Sequence, residues 1–275
     1  SGNFDNNGLL DDLALTMASG STIRRAVGTL SVAPILTSQV NLAYISTVSS
    51  VTTGFELPAS PSALLNLSIL SNKGVDFSSD ATVNGTLSFE TGAASINTGT
   101  HTLTLGANAL LTGETASAYV KGVVSTQRSV GTDANTFGGI GFGLSSGSDN
   151  IASATVSRFS GEAGIVTING NTGIARNWNV TASSQPSNGR TITLSWPSGD
   201  DNGKLFSSTV PAKVMQFTNT DWKQIGTSAE VQNSDPRTIS VFSNMLSSYT
   251  VFDTANVTAV KENNPLGPKE FAIHQ

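Results

Sequence analysis

Two short turns of this sequence carry the oxygen-rich side chains that bind calcium in proteins. Asp200, Asp201 and Asn202 precede Gly203, and residues 5–8 repeat the pattern as Asp-Asn-Asn-Gly. Calcium prefers such oxygens, although neither turn has the spaced carboxylates and distal Glu of the helical calcium loop. Asn-Gly also favours a tight turn without any ligand. The sequence therefore gives Asp200, Asp201 and Asn202 as candidate calcium ligands, with turn formation as the alternative.

Catalytic chemistry has few candidates in this chain. A hydrolase triad requires a histidine held between a serine and a carboxylate, and the two histidines are His101, on a predicted strand, and His274, near the C-terminus. The glycine run at 138–143 lacks the following helix that a dinucleotide loop needs. A polysaccharide lyase would use four charged side chains whose spacing suits solvent-facing turns: Lys73, Asp76, Asp80 and Glu90. The sequence predicts no catalytic residue and no enzyme.

The three tryptophans are candidates for either sugar contact or core packing. Trp178, Trp196 and Trp222 each lie on a short predicted strand between residues 161 and 226. An exposed aromatic ring can stack on a sugar, whereas a buried one anchors a sandwich. Trp196 shares the apolar face of an alternating strand with Ile192 and Leu194. We expect core packing for the tryptophans, with Trp222, which follows a turn, as the candidate for ligand contact.

Composition narrows the class of protein. Only 12% of the 275 residues are charged, the net charge is -5 and cysteine is absent. An acidic chain without a basic surface stripe is not expected to bind nucleic acid, because phosphate binding needs clustered Lys and Arg. No apolar run is long enough to cross a bilayer, so we expect no membrane insertion. Ser, Thr, Asn and Gly in place of charge are typical of extracellular β-proteins. The loop-like start without methionine favours a processed or excised product.

The first half of the chain is predicted to form a β-solenoid over residues 1–115. Short alternating strands recur between Gly, Ser and Asn turns, as in Leu67-Ser68-Ile69 and Thr102-Leu103-Thr104-Leu105. The order of strands and turns in residues 9–32 is echoed in residues 63–89, which indicates an internal repeat. Such strands suit the stacked rungs of a parallel β-helix, because each rung buries its apolar side against its neighbours. An antiparallel meander fits the same periodicity.

The second half, residues 116–275, is predicted to form an immunoglobulin-like β-sandwich with a C-terminal extension. About seven short strands with turn signals between them are typical of that architecture. The Gly- and Ser-rich stretch at 130–153 is interpreted as a long loop or an irregular edge. The fold class is therefore all-β, a solenoid-like half followed by a sandwich.

Several motifs along the chain resemble those of the large repetitive surface proteins of Bacteroidota. They are Val83–Leu87, Thr102–Gly106, Tyr119–Gly122, Ile174–Trp178, Leu194–Trp196, Asp221–Trp222 and Asn263–Leu266. The resemblance implies solenoid-like strands paired with a sandwich, and export by the type IX route as an adhesin or filament component. It departs from the family after Asn263–Leu266, where a linker and sorting domain often follow and this chain ends at Gln275. Asp253-Thr254-Ala255 matches the O-glycan acceptor pattern of such proteins, which makes Thr254 a candidate glycosylation site.

Together these observations predict a non-enzymatic, extracellular structural or adhesive module of a bacterial surface protein or filament. We expect it to contact like subunits or neighbouring repeats through strand edges and solenoid ends. The alternative is a carbohydrate-binding module of a secreted protein, with surface glycans as partners. No cofactor is expected apart from calcium at the Asp200 turn.

Overall fold

A computed structural model describes residues 2–10, 15–231 and 234–255 of the chain. Within them the regular structure consists of β-strands and three short 3-10 turns, η1 (Phe137–Gly139), η2 (Gly161–Gly164) and η3 (Ser198–Asp200). The all-β prediction is thus confirmed. His274 and the Asn263–Leu266 motif lie outside the described residues.

The N-terminal half is a β-solenoid that extends over residues 3 to about 126. Its strands are β1 (Asn3–Asn6), β2 (Leu9–Leu10), β3 (Thr16–Met17), β4 (Thr22–Arg25), β5 (Thr29–Leu30), β6 (Ile35–Leu36), β7 (Val40–Tyr44), β8 (Val51–Thr52), β9 (Leu64–Ile69), β10 (Val75–Asp76), β11 (Ala81–Val83), β12 (Thr86–Phe89), β13 (Ile96–Leu105), β14 (Leu110–Thr112) and β15 (Val120–Ser129).

Successive rungs pair in parallel and in register. On one side the order is β1-β4-β7-β9-β12-β14, and a single inward column runs through it: Phe4, Ile23, Leu42, Leu67, Leu87 and Leu111. A second side aligns Val51, Val75, Ile96 and Val120, all buried. Parallel pairing confirms the solenoid and excludes the antiparallel meander for this half.

The two near copies noted in the sequence lie on different sides of the solenoid. The first supplies the β2–β5 pair, and the second supplies the β9–β12 pair on the β1 side. Both are parallel pairs from adjacent rungs. The structural repeat is therefore the rung itself, 19 to 25 residues long as measured along the column from Ile23 to Leu111.

The C-terminal half consists of antiparallel strands that continue the solenoid's second side. They are β16 (Phe142–Leu144), β17 (Ser153–Ser160), β18 (Thr167–Ile168), β19 (Asn171–Thr172), β20 (Arg176–Ala182), β21 (Arg190–Trp196), β22 (Ala212–Thr218), β23 (Asp221–Ala229), β24 (Arg237–Ser243) and β25 (Ser248–Asp253). β15 pairs in parallel with β13 and antiparallel with β17. One sheet therefore runs from β8 through β10, β13, β15, β17, β20, β25 and β22 to β23. The boundary predicted between residues 115 and 116 falls in the turn before β15.

A three-stranded sheet, β16-β21-β24, faces the antiparallel part of the long sheet. Trp178 on β20 and Trp196 on β21 are fully buried between them. Phe142 of β16 contacts Tyr249 of β25, with ring centroids 6.0 Å apart. The Trp178 indole donates to the Ile140 carbonyl at 3.1 Å, which satisfies its only polar group. Core packing of these two tryptophans agrees with the sequence interpretation.

The stretch at 130–153, interpreted as a loop or irregular edge, also supplies η1 and β16. Arg190 holds it in place by donating to the backbone carbonyls of Gly131, Asp133, Ser145 and Asp149. Its glycine run lies against the last rung and β21. A Cβ at position 139 would sit 2.6 Å from the Leu111 oxygen, and one at 141 would sit 2.2 Å from the Ser195 oxygen. Only glycine permits this approach, and the run thereby covers β14.

Candidate functional site

The junction between solenoid and sandwich contains a cluster of charged side chains. Glu114, in the turn after β14, accepts two hydrogen bonds from the Arg158 guanidinium on β17, at 2.7 and 2.8 Å. It also accepts from the Val120 backbone N–H at 2.9 Å, and Arg176 of β20 approaches to 3.8 Å. Arg158 and Arg176 are fully buried. A carboxylate of the last solenoid turn is thus clamped to two sandwich strands.

Opposing effects set the ionisation of this cluster. Burial raises the pKa of Glu114, but the charges of Arg158 and Arg176 and the hydrogen bonds to the carboxylate outweigh burial, so the pKa lies below its usual range. Burial, and then the charge and hydrogen bond of Asp200, raise the pKa of Tyr119, whose ring lies 5.7 Å from the Arg176 guanidinium carbon. Glu114 is therefore ionised and paired with Arg158, beside a Tyr119 hydroxyl that stays protonated.

The predicted calcium turn belongs to the same junction. Asp200 is fully buried and accepts from Arg176 Nε at 2.7 Å, while Asp201 accepts from Arg237 Nε at 2.7 and 2.8 Å. The Trp196 indole also donates to Asp201, at 2.8 Å. Each carboxylate faces a guanidinium, which would repel a cation approaching it. Asp200 and Asp201 therefore form ion pairs with Arg176 and Arg237.

The remaining turn residue, Asn202, has a backbone conformation that favours asparagine and glycine. Its φ is +52°, that of Gly203 is +73°, and its side chain donates to the Gly173 carbonyl at 2.8 Å. Turn formation accounts for this geometry. Across residues 2–10, 15–231 and 234–255, no three His, Asp or Glu side chains form a group that could hold a metal ion. Calcium binding at Asp200, Asp201 and Asn202 stays a prediction.

The other sequence candidates are dispersed. Trp222 is half-buried on β23 and packs edge-on against Phe217 with centroids 5.6 Å apart. Thr254 is partly exposed just after β25, and its backbone N–H donates to the Pro211 carbonyl at 3.0 Å. His101 lies 3.6 Å from the exposed Asp80 carboxylate on the solenoid surface. Neither Trp222 nor Thr254 lies in the junction network, and both roles stay predictions.

Sequence reasoning missed the junction arginines, although a local signal was present. On β17 the inward positions alternate as Ala154, Val156, Arg158 and Ser160. When a charged residue occupies an inward-facing position of a strand, it needs a buried partner of opposite charge. What the pattern does not indicate is which carboxylate pairs with it, since Glu114 is 44 residues away.

The two ends of the solenoid differ. β14 is covered by η1 and the glycine run, and the other sheet continues into the sandwich. At the opposite end, among residues 2–10, 15–231 and 234–255, β1 pairs only with β4 and β8 pairs only with β10. The long sheet ends on its other edge at β23, nine mostly exposed residues that hydrogen-bond to β22. We call β1 and its free backbone edge the open end.

Comparisons with known proteins supply no relative: no protein-family model, curated protein or solved structure matches the chain. No helix long and apolar enough to cross a membrane occurs in the part of the chain that the structure describes.

Proposed function

We propose that this chain is a non-enzymatic structural module of an extracellular bacterial surface protein or filament, and that it assembles through the open end. The observation that carries the proposal is the difference between the two solenoid ends. A rung buries its inward side chains fully only when it has a neighbour on each side. Phe4 on β1 is only half-buried, whereas Ile23 and Leu42 behind it are buried almost completely.

The backbone of β1 also favours assembly. In the parallel register Asn3 pairs with Thr22, and Thr22 N–H donates to the Gly2 carbonyl at 3.0 Å. This pattern turns the N–H and C=O groups of Asn3 and Asp5 away from β4. An edge with unpaired backbone groups is a template for another strand. The exposed edge of β23 on a second copy is the complementary surface, and repeated contact between unlike edges produces an open filament.

Proline at position 5 tests this directly, because it removes an outward N–H and leaves the bonds to β4 in place. We expect light scattering of the unchanged chain to show particle mass increasing with concentration, and Asp5→Pro to remain monomeric. Asp5→Ala is the matched control, since it removes the same carboxylate and keeps the N–H. It should assemble like the unchanged chain. A chain that stays monomeric at millimolar concentration contradicts the proposal, as does Asp5→Pro that assembles normally.

The extracellular location and the O-glycan at Thr254 are part of the same proposal. They are supported by the low charge of the chain and by the partial exposure of Thr254. Intact-mass measurement of native material tests the glycan, and the bare polypeptide mass would exclude it.

A further inference from the structure

A groove of about 1160 Å³ opens on the third side of the solenoid. It lies between residues 33–39, which include β6, and the turn at residues 78–80. The crossover at residues 53–63 forms no strand there and instead lines the groove. The groove is separate from the open end and from the tryptophans.

The lining combines apolar walls with hydroxyl groups and is almost uncharged. Its apolar part includes Leu36, Leu57, Pro34, Pro58 and Phe55. The lining also presents six hydroxyl side chains: Thr37, Ser38, Ser60, Ser62, Ser78 and Ser79. Gln39 adds a carboxamide, whose nitrogen donates to the Ser62 carbonyl at 3.0 Å. The single charged lining residue is Asp80, and one of its carboxylate oxygens already accepts from the Thr102 N–H at 2.8 Å. Such a surface complements a neutral ligand that has both apolar faces and hydrogen-bonding groups.

One aromatic ring stands in this lining. Phe55 is 54% exposed at the groove, on the crossover. Together with Leu36 and Leu57 of the same lining it forms an apolar wall, and an exposed ring that lines a concave surface is available to contact a ligand. Pro34 and Pro58 stiffen the neighbouring walls.

A buried ion pair holds this ring in place. The Glu56 carboxylate, 1% exposed, accepts from the Gly54 N–H at 3.0 Å, from the Tyr44 hydroxyl at 2.9 Å and from Arg25. Burial and the charge of Glu56 raise the pKa of Tyr44, so the phenol stays protonated and donates. All three hydrogen bonds reach Glu56 Oε1, and Oε2 is buried without a hydrogen-bond partner among the described residues. The ion pair with Arg25 therefore offsets most of the cost of burying this carboxylate. The network fixes residues 54–57 and therefore fixes Phe55 outward, and such pre-organisation favours binding.

We propose that this groove binds a neutral oligosaccharide, with Phe55 stacked on a sugar ring and the hydroxyls and Gln39 bonded to sugar hydroxyl groups. An aromatic face matches the C–H face of a sugar, and uncharged donors and acceptors match its hydroxyls. An extended peptide fits less well. Peptide capture by strand addition needs a long free strand edge, and β6 offers two residues.

The test uses the full chain and a panel of neutral hexasaccharides: cellohexaose, maltohexaose and N-acetylchitohexaose, followed by an array of other neutral glycans. We expect titration calorimetry to detect binding of at least one. Phe55→Ala should weaken it roughly tenfold, by loss of stacking. Phe242→Ala is the matched control, because Phe242 is a similarly exposed ring (61%) on β24 of the sandwich. It should bind like the unchanged chain.

Three outcomes overturn the proposal: no binding to any neutral glycan, equal losses in Phe55→Ala and Phe242→Ala, or tight binding of a proline-rich peptide that competes for the groove. Because the groove and the open end are different surfaces, the Asp5→Pro variant should keep its sugar affinity. Failure here would therefore leave the assembly proposal standing, and failure of assembly would leave this one standing.

Discussion

The solenoid and the sandwich bury their residues in different ways. The solenoid core is made of aliphatic columns in which each rung contacts only the rungs beside it, and its largest buried polar group is the Arg25–Glu56 pair. The sandwich encloses Trp178 and Trp196 between two sheets. The first arrangement can be extended by a further rung at an end, whereas the second buries its aromatic core between two facing sheets. The difference teaches that, among the described residues, the sandwich covers one end of the solenoid, whereas β1 lies at the edge of its sheet at the other end.

The largest loss of stability is expected when the contact between Glu114 and the two junction arginines is removed. Glu114→Gln leaves the buried Arg158 and Arg176 without their shared carboxylate, and removal of one partner from a buried pair costs about 3–5 kcal/mol. Because Glu114 belongs to the solenoid and the arginines to the sandwich, both halves should lose stability together. Chemical denaturation followed by tryptophan fluorescence, which reports on the sandwich, and by far-UV circular dichroism, which reports on both halves, measures the loss. A loss below about 1 kcal/mol would show that the clamp does not hold the halves together.

Acid should remove the difference in stability between the unchanged chain and Glu114→Gln. The folded pKa of Glu114 lies below its unfolded value, which is about 4.3 for a free Glu. Its contribution is therefore fully present above about pH 4.3 and is lost as the pH falls through the folded pKa. The gap in melting temperature between the unchanged chain and Glu114→Gln should be constant near neutral pH and narrow below about pH 4. A gap that is the same at pH 3 and pH 7 would contradict the assignment of the clamp.

The same small core substitution in each half compares the local stability of the solenoid with that of the sandwich. Ile23 on β4 and Ile192 on β21 are both 0% exposed. Ile→Val at either position should cost about 0.5–1.5 kcal/mol. Ile192→Val should lower the main melting transition. Ile23→Val should instead speed amide hydrogen exchange in the first rungs and hardly move that transition. Equal shifts of the main melting transition would show that the first rungs are no less stable than the rest of the molecule.

The smallest effect is expected at the surface pair of the open end. Arg24 lies 3.4 Å from Asp5, and both are exposed. Arg24→Ala should change the free energy of unfolding by less than about 1 kcal/mol and leave assembly intact, because exposed pairs contribute little. Denaturant unfolding of the monomer measures this change. A larger loss would show that the Arg24–Asp5 pair stabilises the fold more than an exposed ion pair should.

Strand positions could be read from the sequence because alternation determines which residues point inward. Leu67 and Leu87 were therefore expected in strands, and they are the inward residues of β9 and β12. Period-two alternation does not encode strand direction, which is why a meander fitted the same pattern. The junction was not predictable in the same way. Asp200 looked like a turn ligand because its partner Arg176, 24 residues earlier, has no local relation to it.

Hydrogen exchange resolved by residue, at a low and a high protein concentration, tests the open end most directly. At low concentration we expect the amides of β1 to exchange fastest among the solenoid strands, and those of β14 to be protected by the covering glycine run. Raising the concentration should protect β1 and leave β14 unchanged. Equal protection of β1 and β14 at low concentration, with no response of either to concentration, would contradict the account.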